Sequence, residues 1–173
     1  SSSFSFIIKN GINKEVANTA ISIPFIANGT IDIGYLYIPL VIIIIIASSN
    51  AINLSDGLDG LATGLVAISC FTFSIIAYAT SRSDFSNYLN VVFVPGASEL
   101  FVYALIMVGS CIGFLWFNAY PAKIFMGDTG SLPLGAALGC MAIIFKKEIL
   151  LIIIGGVFVL EALSVIIQVL YFK

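Results

Sequence analysis

The stretch Val41-Ile-Ile-Ile-Ile-Ile46 decides the fold class of this chain. It lies inside a longer apolar segment, Tyr35 to Ser49. In water, so many β-branched residues would favour a strand. In a lipid bilayer, only helices and closed barrels satisfy every backbone hydrogen bond, and the apolarity here is continuous rather than alternating. The stretch therefore predicts a transmembrane helix.

The composition of the whole chain supports a membrane protein. Of its 173 residues, 60% are hydrophobic and 9% are charged, whereas soluble domains are about 45–50% apolar and about 25% charged. We therefore predict an all-α polytopic membrane protein. The net charge of -2 and seven dispersed Lys and Arg residues indicate no nucleic-acid partner, and the absence of His excludes an imidazole base or ligand from this chain.

Apolar runs divide the chain into five expected spans. Their approximate bounds are 35–49, 61–80, 100–118, 131–145 and 149–172. The fourth is short for a span, which needs roughly 20 residues, and the fifth is long enough to tilt. We expect residues 1–173 to form a single transmembrane domain. Because the chain starts without Met and stops directly after an apolar run, we expect it to be a fragment of a longer protein.

The segment before the first span predicts a short β-hairpin outside the membrane. Asn28-Gly29 separates two β-prone stretches within residues 20–33, and Asn-Gly is a strong hairpin turn signal. The hairpin should lie on the membrane face opposite the acidic loops described next. For residues 1–14 we expect the tail of an earlier helix and its loop.

Acidic residues cluster in the loop from Asn50 to Gly60. If this loop continues helically into the second span, Asn53, Asp56 and Asp59 share one helix face, because residues three apart are neighbours. Two carboxylates this close repel each other unless a cation or a proton lies between them. The alternative is a solvated loop of turn-forming Asp-Gly pairs.

A second polar loop precedes the fourth span, within residues 116–131. Gly127 would let the backbone approach a ligand closely, and a helix N-terminus offers free N–H groups to an anion. Asp128 could bind a hard cation, while Phe125 and Asn118 could stack on and hydrogen-bond a planar base. The alternative is a helix start capped by Thr129 or Ser131.

Span parity places both polar loops on the same side of the membrane. We therefore expect Asp56, Asp59 and Asp128 to converge, in a layout suited to metal-assisted phosphate transfer. A polar stripe in the fifth span, formed by Glu161, Ser164 and Gln168, should face the protein interior, with either a structural or a catalytic role. Two glycine pairs, Gly109/Gly113 and Gly135/Gly139, should allow close helix packing.

Four segments together resemble one family, the phospho-N-acetylmuramoyl-pentapeptide transferases, a group of polyprenyl-phosphate sugar-phosphate transferases. The resemblance runs from about Ile31 to Lys173, and the ordered acid motifs carry most of it. Thr129 stands where related N-acetylglucosamine-phosphate transferases usually have Ala, and Ser55 replaces a usual Thr. The four segments are S-S-N-A-I-N-L-S-D-G-L-D-G-L, which starts at Ser48, L-W-F-N-A-Y-P-A, which starts at Leu115, F-M-G-D-T-G-S-L, which starts at Phe125, and G-G-V-F-V-L-E-A-L-S-V, which starts at Gly155.

This resemblance implies transfer of phospho-N-acetylmuramoyl-pentapeptide from a UDP carrier to undecaprenyl phosphate, with Mg²⁺, giving lipid I and UMP. It implies that Asp128 is a metal ligand and that Asp56, Asp59 and Asn53 belong to the catalytic centre. The expected substrate contacts are Gly57, Leu58, Asn118, Phe125 and Gly127. The longer protein should have about ten transmembrane helices, an Asp-Asp pair before Ser1 and a His-rich motif after Lys173, and the resemblance leaves room for a homodimer.

The resemblance also implies a bacterial inner membrane with the acidic loops in the cytoplasm. The positive-inside rule alone points the other way, because two Lys residues lie on the acidic face and five basic residues on the opposite face. Three alternatives remain: a related UDP-N-acetylhexosamine transferase, an ion-coupled transporter and a structural membrane subunit. A transporter should carry its acids near the bilayer midplane, whereas here they lie at helix ends.

Overall fold

The computed structural model describes residues 8–10, 14–16, 19–22, 30–89, 91, 93–94 and 96–171. Helices dominate these residues. The seven α-helices are α1 (Tyr37–Ser55), α2 (Leu61–Ser81), α3 (Ser83–Tyr88), α4 (Ala97–Asn118), α5 (Asp128–Ile144), α6 (Glu148–Ile154) and α7 (Gly156–Tyr171), and a 3-10 turn at Gly34–Leu36 leads into α1. The short strands are β1 (Ile8–Asn10), β2 (Lys14–Val16), β3 (Ala20–Ser22) and β4 (Thr30–Asp32).

The described helices confirm an all-α polytopic membrane protein. Three of them are long and apolar enough to cross a bilayer: Gly34–Ser55, Leu61–Ser81 and Ala97–Asn118. The bent pair α6–α7 would make a fourth. Helix α5 is apolar but has only 17 residues, so the count of five spans stays a prediction.

The final helix is broken, whereas the sequence predicted one continuous span over 149–172. Helices α6 and α7 meet at Gly155 with a bend of 74°. The Gly155-Gly156 pair explains the bend, because sharp helix kinks occur at residues that do not support the helical backbone. The structure thus divides the expected fifth helix into two helices, which together can still make one broken span.

The first acidic loop also differs from its prediction. Helix α1 continues to Ser55, so Asn53 belongs to α1 and not to the start of the second span. The chain then turns, and Gly60 precedes α2 with a φ of 73°. A Cβ at Gly60 would lie 3.1 Å from the Leu115 side chain. Glycine therefore fits both the left-handed backbone and the close approach to α4.

Helices pack mainly in two pairs, α1 with α5 and α2 with α4. A Cβ at Gly135 would lie 2.5 Å from the Ser48 carbonyl oxygen, and one at Gly139 would lie 2.5 Å from the Ser48 hydroxyl oxygen. This close approach confirms the predicted packing role of Gly135 and Gly139. Gly109 and Gly113, by contrast, face open space among the described residues.

Two antiparallel strand pairs precede α1. Strands β3 and β4 pair with Ala20 opposite Asp32, as the hairpin prediction requires. Its turn at Asn28-Gly29 lies outside the described residues. Strands β1 and β2 also pair, so the expectation of a helix tail and loop in residues 1–14 was wrong for Ile8–Asn10 and for Lys14.

A buried polar cluster joins this hairpin end of α1 to the α5–α6 connection. The Tyr37 hydroxyl donates to Glu148 Oε1 at 2.6 Å, and Lys146 Nζ lies 3.9 Å from the centroid of the Tyr37 ring. Lys146 and Glu148 are only 7% and 5% exposed. We call Tyr37, Lys146 and Glu148 the hairpin-end cluster. It lies at the end of α1 remote from Asp56.

Candidate active site

The two polar loops meet at the C-terminal end of α1. The Asn53 side-chain amide donates to Asp128 Oδ1 at 2.7 Å, and the Gly127 backbone N–H donates to Asp56 Oδ2 at 3.1 Å. Residues more than 70 positions apart in the sequence are thus joined directly. Span parity correctly predicted this meeting of the loops.

Helix α5 begins at Asp128, and no side chain of the described residues caps its N-terminus by a hydrogen bond. Gly127 is the N-cap, with a φ of 64°, a backbone conformation that favours glycine. Neither Thr129 nor Ser131, the alternative capping residues, caps this helix. Instead, the Ser131 hydroxyl donates to the Gly127 carbonyl oxygen at 3.1 Å and accepts from Asn53 Nδ2 at 2.9 Å. The first N–H groups of α5 therefore remain open to an anion.

The electrostatics of this site favour a bound cation or proton. Burial raises the pKa of the Asp56 carboxyl, and the nearby charge of Asp128 raises it further, against the opposing hydrogen bond from Gly127. When a neighbouring negative charge disfavours the ionised form of a carboxyl in this way, a positive charge beside that carboxyl offsets the effect. Asp56 and Asp128 thus form an acid pair, while Asn53 orients Asp128.

Asp59 occupies a different position from the other two acids. Its Oδ2 atom accepts a hydrogen bond from the Ala122 backbone N–H at 3.0 Å. The predicted helix face shared by Asn53, Asp56 and Asp59 was wrong, because α1 ends at Ser55 and the chain turns before α2. The turn directs Asp59 toward the connection between α4 and α5.

Asn118 holds this connection from behind. Its side chain is buried at 2% exposure, accepts from the Thr63 hydroxyl at 2.9 Å and donates to the Ile124 carbonyl oxygen at 2.9 Å. The structure therefore assigns Asn118 to holding the loop, where the resemblance had implied a nucleoside contact. Thr63, fully buried, was missed because a single hydroxyl in an apolar span carries no functional signal in sequence.

The remaining expected substrate contacts are open to solvent. Phe125 is 71% exposed and Leu58 is 69% exposed. Gly57 and Gly127 are also exposed, and within the described part of the chain a Cβ added to either glycine would meet nothing within 4 Å beyond its chain neighbours. An exposed phenyl ring beside an uncapped helix start is suited to stacking on a planar ring.

The donor set fits a magnesium ion held together with a phosphate. No group of three or more His, Cys, Asp or Glu side chains converges among the described residues. Mg²⁺, however, is usually bound through one or two carboxylates together with substrate phosphates and waters. Asp56 and Asp128 each use one carboxylate oxygen in the bonds above, which leaves the other oxygen of each for a cation.

The polar stripe in the last helix departs from its prediction. Ser164 and Gln168 are exposed rather than turned inward, and their side chains lie 3.5 Å apart. Glu161 has one buried carboxylate oxygen without a hydrogen-bond partner in the described part of the chain. The expected common interior face is therefore not formed by these helices.

Comparison with known proteins supports the resemblance seen in the motifs. The sequence profile of glycosyl transferase family 4 matches residues 3–146. Two similar relatives are phospho-N-acetylmuramoyl-pentapeptide-transferases. The one from Thermodesulfovibrio yellowstonii is 52% identical over 160 residues, covering 92% of this chain and 44% of the relative. The one from Desulforapulum autotrophicum is 53% identical over 156 residues, covering 90% of this chain and 44% of the relative.

A third relative extends this likeness to another bacterium. The phospho-N-acetylmuramoyl-pentapeptide-transferase of Chloroherpeton thalassium is 54% identical over 152 residues, covering 88% of this chain and 41% of the relative. The chain thus spans less than half the length of the curated relatives it matches. With most of its residues matched by the profile and with both acidic loops in place, this multi-pass membrane chain belongs to glycosyl transferase family 4.

Proposed function

We propose that this chain is the site-bearing part of an enzyme that transfers phospho-N-acetylmuramoyl-pentapeptide from UDP to undecaprenyl phosphate. The products are lipid I and UMP, in peptidoglycan synthesis. The observation that carries the proposal is the junction of the two loops, where Asp56 accepts from the Gly127 N–H and Asn53 donates to Asp128 at the start of α5. The names of the relatives supply the substrate class.

Each part of the site suits one part of the UDP-linked substrate. The Phe125 ring is exposed and can stack on the uracil. The open N–H groups at the start of α5 can bind a phosphate oxygen, as helix N-termini commonly do. Leu58 and Gly57 lie exposed on the facing loop, where they can border the nucleoside.

The acid pair supplies the ligands for Mg²⁺. Asp128 is the principal ligand in this proposal, and Asp56 is the second carboxylate. The ion, when bound, neutralises charge on the pyrophosphate during phosphoryl transfer. Asn53 keeps Asp128 in place through its 2.7 Å hydrogen bond.

The reaction itself is a displacement at phosphorus. An oxygen of undecaprenyl phosphate attacks the β-phosphorus of the UDP-sugar, and the bond between that phosphorus and the bridging oxygen breaks. UMP leaves with the bridging oxygen, and the sugar phosphate becomes joined to the lipid phosphate. The residues of this chain align the two substrates and offset the developing negative charge.

The location of the site follows from the same proposal. The soluble UDP substrate is made in the cytoplasm and the polyprenyl carrier lies in the lipid. The acidic loops should therefore face the cytoplasm at the bacterial inner membrane. Membrane lipid surrounds the apolar helices, and a homodimer is compatible with their exposed apolar faces.

The test is a transfer assay with the full-length enzyme in detergent. UDP-N-acetylmuramoyl-pentapeptide and undecaprenyl phosphate are supplied together across a Mg²⁺ titration. We expect UMP release to require both substrates and to disappear when Mg²⁺ is chelated. Transfer from UDP-N-acetylglucosamine instead would identify the related transferase, and the absence of UMP release from either donor would overturn the proposal.

A further inference from the structure

The three loop acids divide into two kinds by what they contact. Asp56 and Asp128 lie at the junction of the two loops, where Asp56 accepts a hydrogen bond from the Gly127 N–H and Asp128 accepts one from Asn53. Asp59 instead accepts a hydrogen bond from the Ala122 backbone N–H at 3.0 Å. This N–H lies in the irregular connection between α4 and α5, where no helical partner exists for it. Asp59 therefore satisfies a backbone donor of the connection.

The same connection is fixed at a second point only two residues later. The Asn118 side chain donates to the Ile124 carbonyl oxygen at 2.9 Å, and the buried Thr63 hydroxyl holds the Asn118 amide in the required orientation. The backbone is thus held by hydrogen bonds at Ala122 and at Ile124. Between them, the Lys123 N–H donates to the Phe117 carbonyl oxygen at 2.8 Å, so the Asp59 contact is the part of this hold that comes from the opposite loop. The residue after Ile124 is Phe125, whose exposed ring stacks on the uracil in the proposed function.

We propose that Asp59 is a positioning residue, which sets the place of the Phe125 ring by holding the Ala122 N–H. This inference rests on the proposed function, since that function gives Phe125 its ligand. It reassigns Asp59 from the catalytic group implied by the resemblance. The hydrogen bond from Ala122 to Asp59 lies three residues before Phe125 and joins the connection to the opposite loop. Asp59 therefore links the two loops at a position separate from the acid pair.

A positioning role and an electrostatic role require different properties of the Asp59 side chain. A positioning residue needs only an acceptor oxygen at the right place, which the amide oxygen of Asn supplies in nearly the same shape. A metal ligand or electrostatic group needs the negative charge, which Asn lacks. Asp59→Asn and Asp59→Leu therefore separate the two roles, because only the leucine variant removes the acceptor.

The experiment compares Asp59→Asn and Asp59→Leu with Asp128→Asn in the full-length enzyme, with Asp84→Asn as the control at the opposite end of α2. We expect Asp59→Leu to raise the KM for the UDP-sugar by about 10- to 100-fold, the effect of losing a charged hydrogen bond, with a smaller change in kcat. Asp59→Asn should recover most of that loss. If Asp59→Asn instead lowers kcat as far as Asp128→Asn does, the positioning role is overturned.

Amide hydrogen exchange tests the hydrogen bond between the Ala122 N–H and Asp59 without relying on the transfer assay. The Ala122 N–H should exchange faster in Asp59→Leu than in wild type and should remain protected in Asp59→Asn. Equal protection in Asp59→Leu would overturn the inference. Hydrogen exchange still tests the positioning role if the wild-type enzyme shows no transfer. That outcome would overturn the proposed function but not the hydrogen bond.

Discussion

The two ends of helix α1 carry polar clusters of opposite character. At the hairpin end, Glu148 and Lys146 are almost fully buried, and the Tyr37 hydroxyl and ring contact them. At the loop end, Asp56 and Asp128 carry the same charge and remain open to solvent on one side. The first arrangement pairs unlike groups, although the Glu148 Oε2 atom has no hydrogen-bond partner among the described residues. In the second arrangement the like charges repel each other, despite the hydrogen bonds from Gly127 and Asn53.

The pKa shifts at the two ends express this difference. Burial lowers the pKa of Lys146, but the charges of Glu148 and Asp32 oppose that shift. For Asp56, burial and the charge of Asp128 act in the same direction and raise the pKa. Unlike charges at the hairpin end therefore offset part of the effect of burial on the pKa, while like charges at the loop end add to it. That contrast separates a structural polar cluster from a candidate binding site.

The largest effect expected from the comparison is at the loop end. Asp128→Asn keeps the side-chain shape and an acceptor for Asn53 but removes the charge that holds a cation. We expect transfer by the full-length enzyme to fall about 100- to 1000-fold, as for loss of one electrostatic stabiliser, with the fold retained. Asp84→Asn, at an exposed position remote from the site, should change little. Wild-type rate and Mg²⁺ dependence in Asp128→Asn would show that Asp128 only begins a helix.

A substitution between α1 and α5, the helix pair that joins the two ends, should have nearly as large an effect. Gly135→Ala places a Cβ against the Ser48 carbonyl oxygen and the Ser49 backbone, both of which lie 2.5 Å away. The helices must separate, so we expect a loss of about 1–3 kcal/mol in the free energy of unfolding. Transfer should fall as well, because α5 carries Asp128. Gly109→Ala faces open space and is the matched control; equal unfolding midpoints for the two variants would refute close α1–α5 packing.

At the hairpin end, a substitution should affect stability rather than chemistry. Glu148→Ala leaves the partly buried Tyr37 hydroxyl without its acceptor, which costs about 1–3 kcal/mol. We expect a lower unfolding midpoint in detergent, with transfer per folded molecule retained. Glu99→Ala, an exposed acid in the first turn of α4, is the control. A Mg²⁺-dependent loss of transfer in Glu148→Ala would break the distinction between the two ends.

The smallest expected effect is a gain in stability at the loop end. Because the native pKa of Asp56 is raised, the folded state binds this proton more tightly than the unfolded chain does. The free energy of unfolding therefore falls as the pH rises from the unfolded-state pKa through the raised native one. Without divalent cations, Asp56→Asn should raise the unfolding midpoint slightly at neutral pH. The midpoints of variant and wild type should converge in acid; a lower midpoint for Asp56→Asn at neutral pH would contradict the repulsion.

The sequence by itself determined the membrane character, the helical class and the meeting of the two loops. Continuous apolar runs such as Val41–Ile46 require helices in lipid, and an antiparallel path across the membrane returns every second loop to the same side. The motifs also identified the family. These properties follow from hydropathy, chain connectivity and local residue identity, which are all written in order along the chain.

Tertiary structure alone decided which polar groups face each other. Sequence spacing placed Asp59 beside Asp56 on one helix face, but the turn after Ser55 directs it to Ala122. The motifs likewise assigned Asn118 to a substrate, whereas packing of α2 against α4 buries it beside Thr63. The 74° bend at Gly155 was also absent from the predicted spans. Hydrogen-bond partners depend on where helices end and how closely they approach, and both are set by contacts between residues distant in sequence.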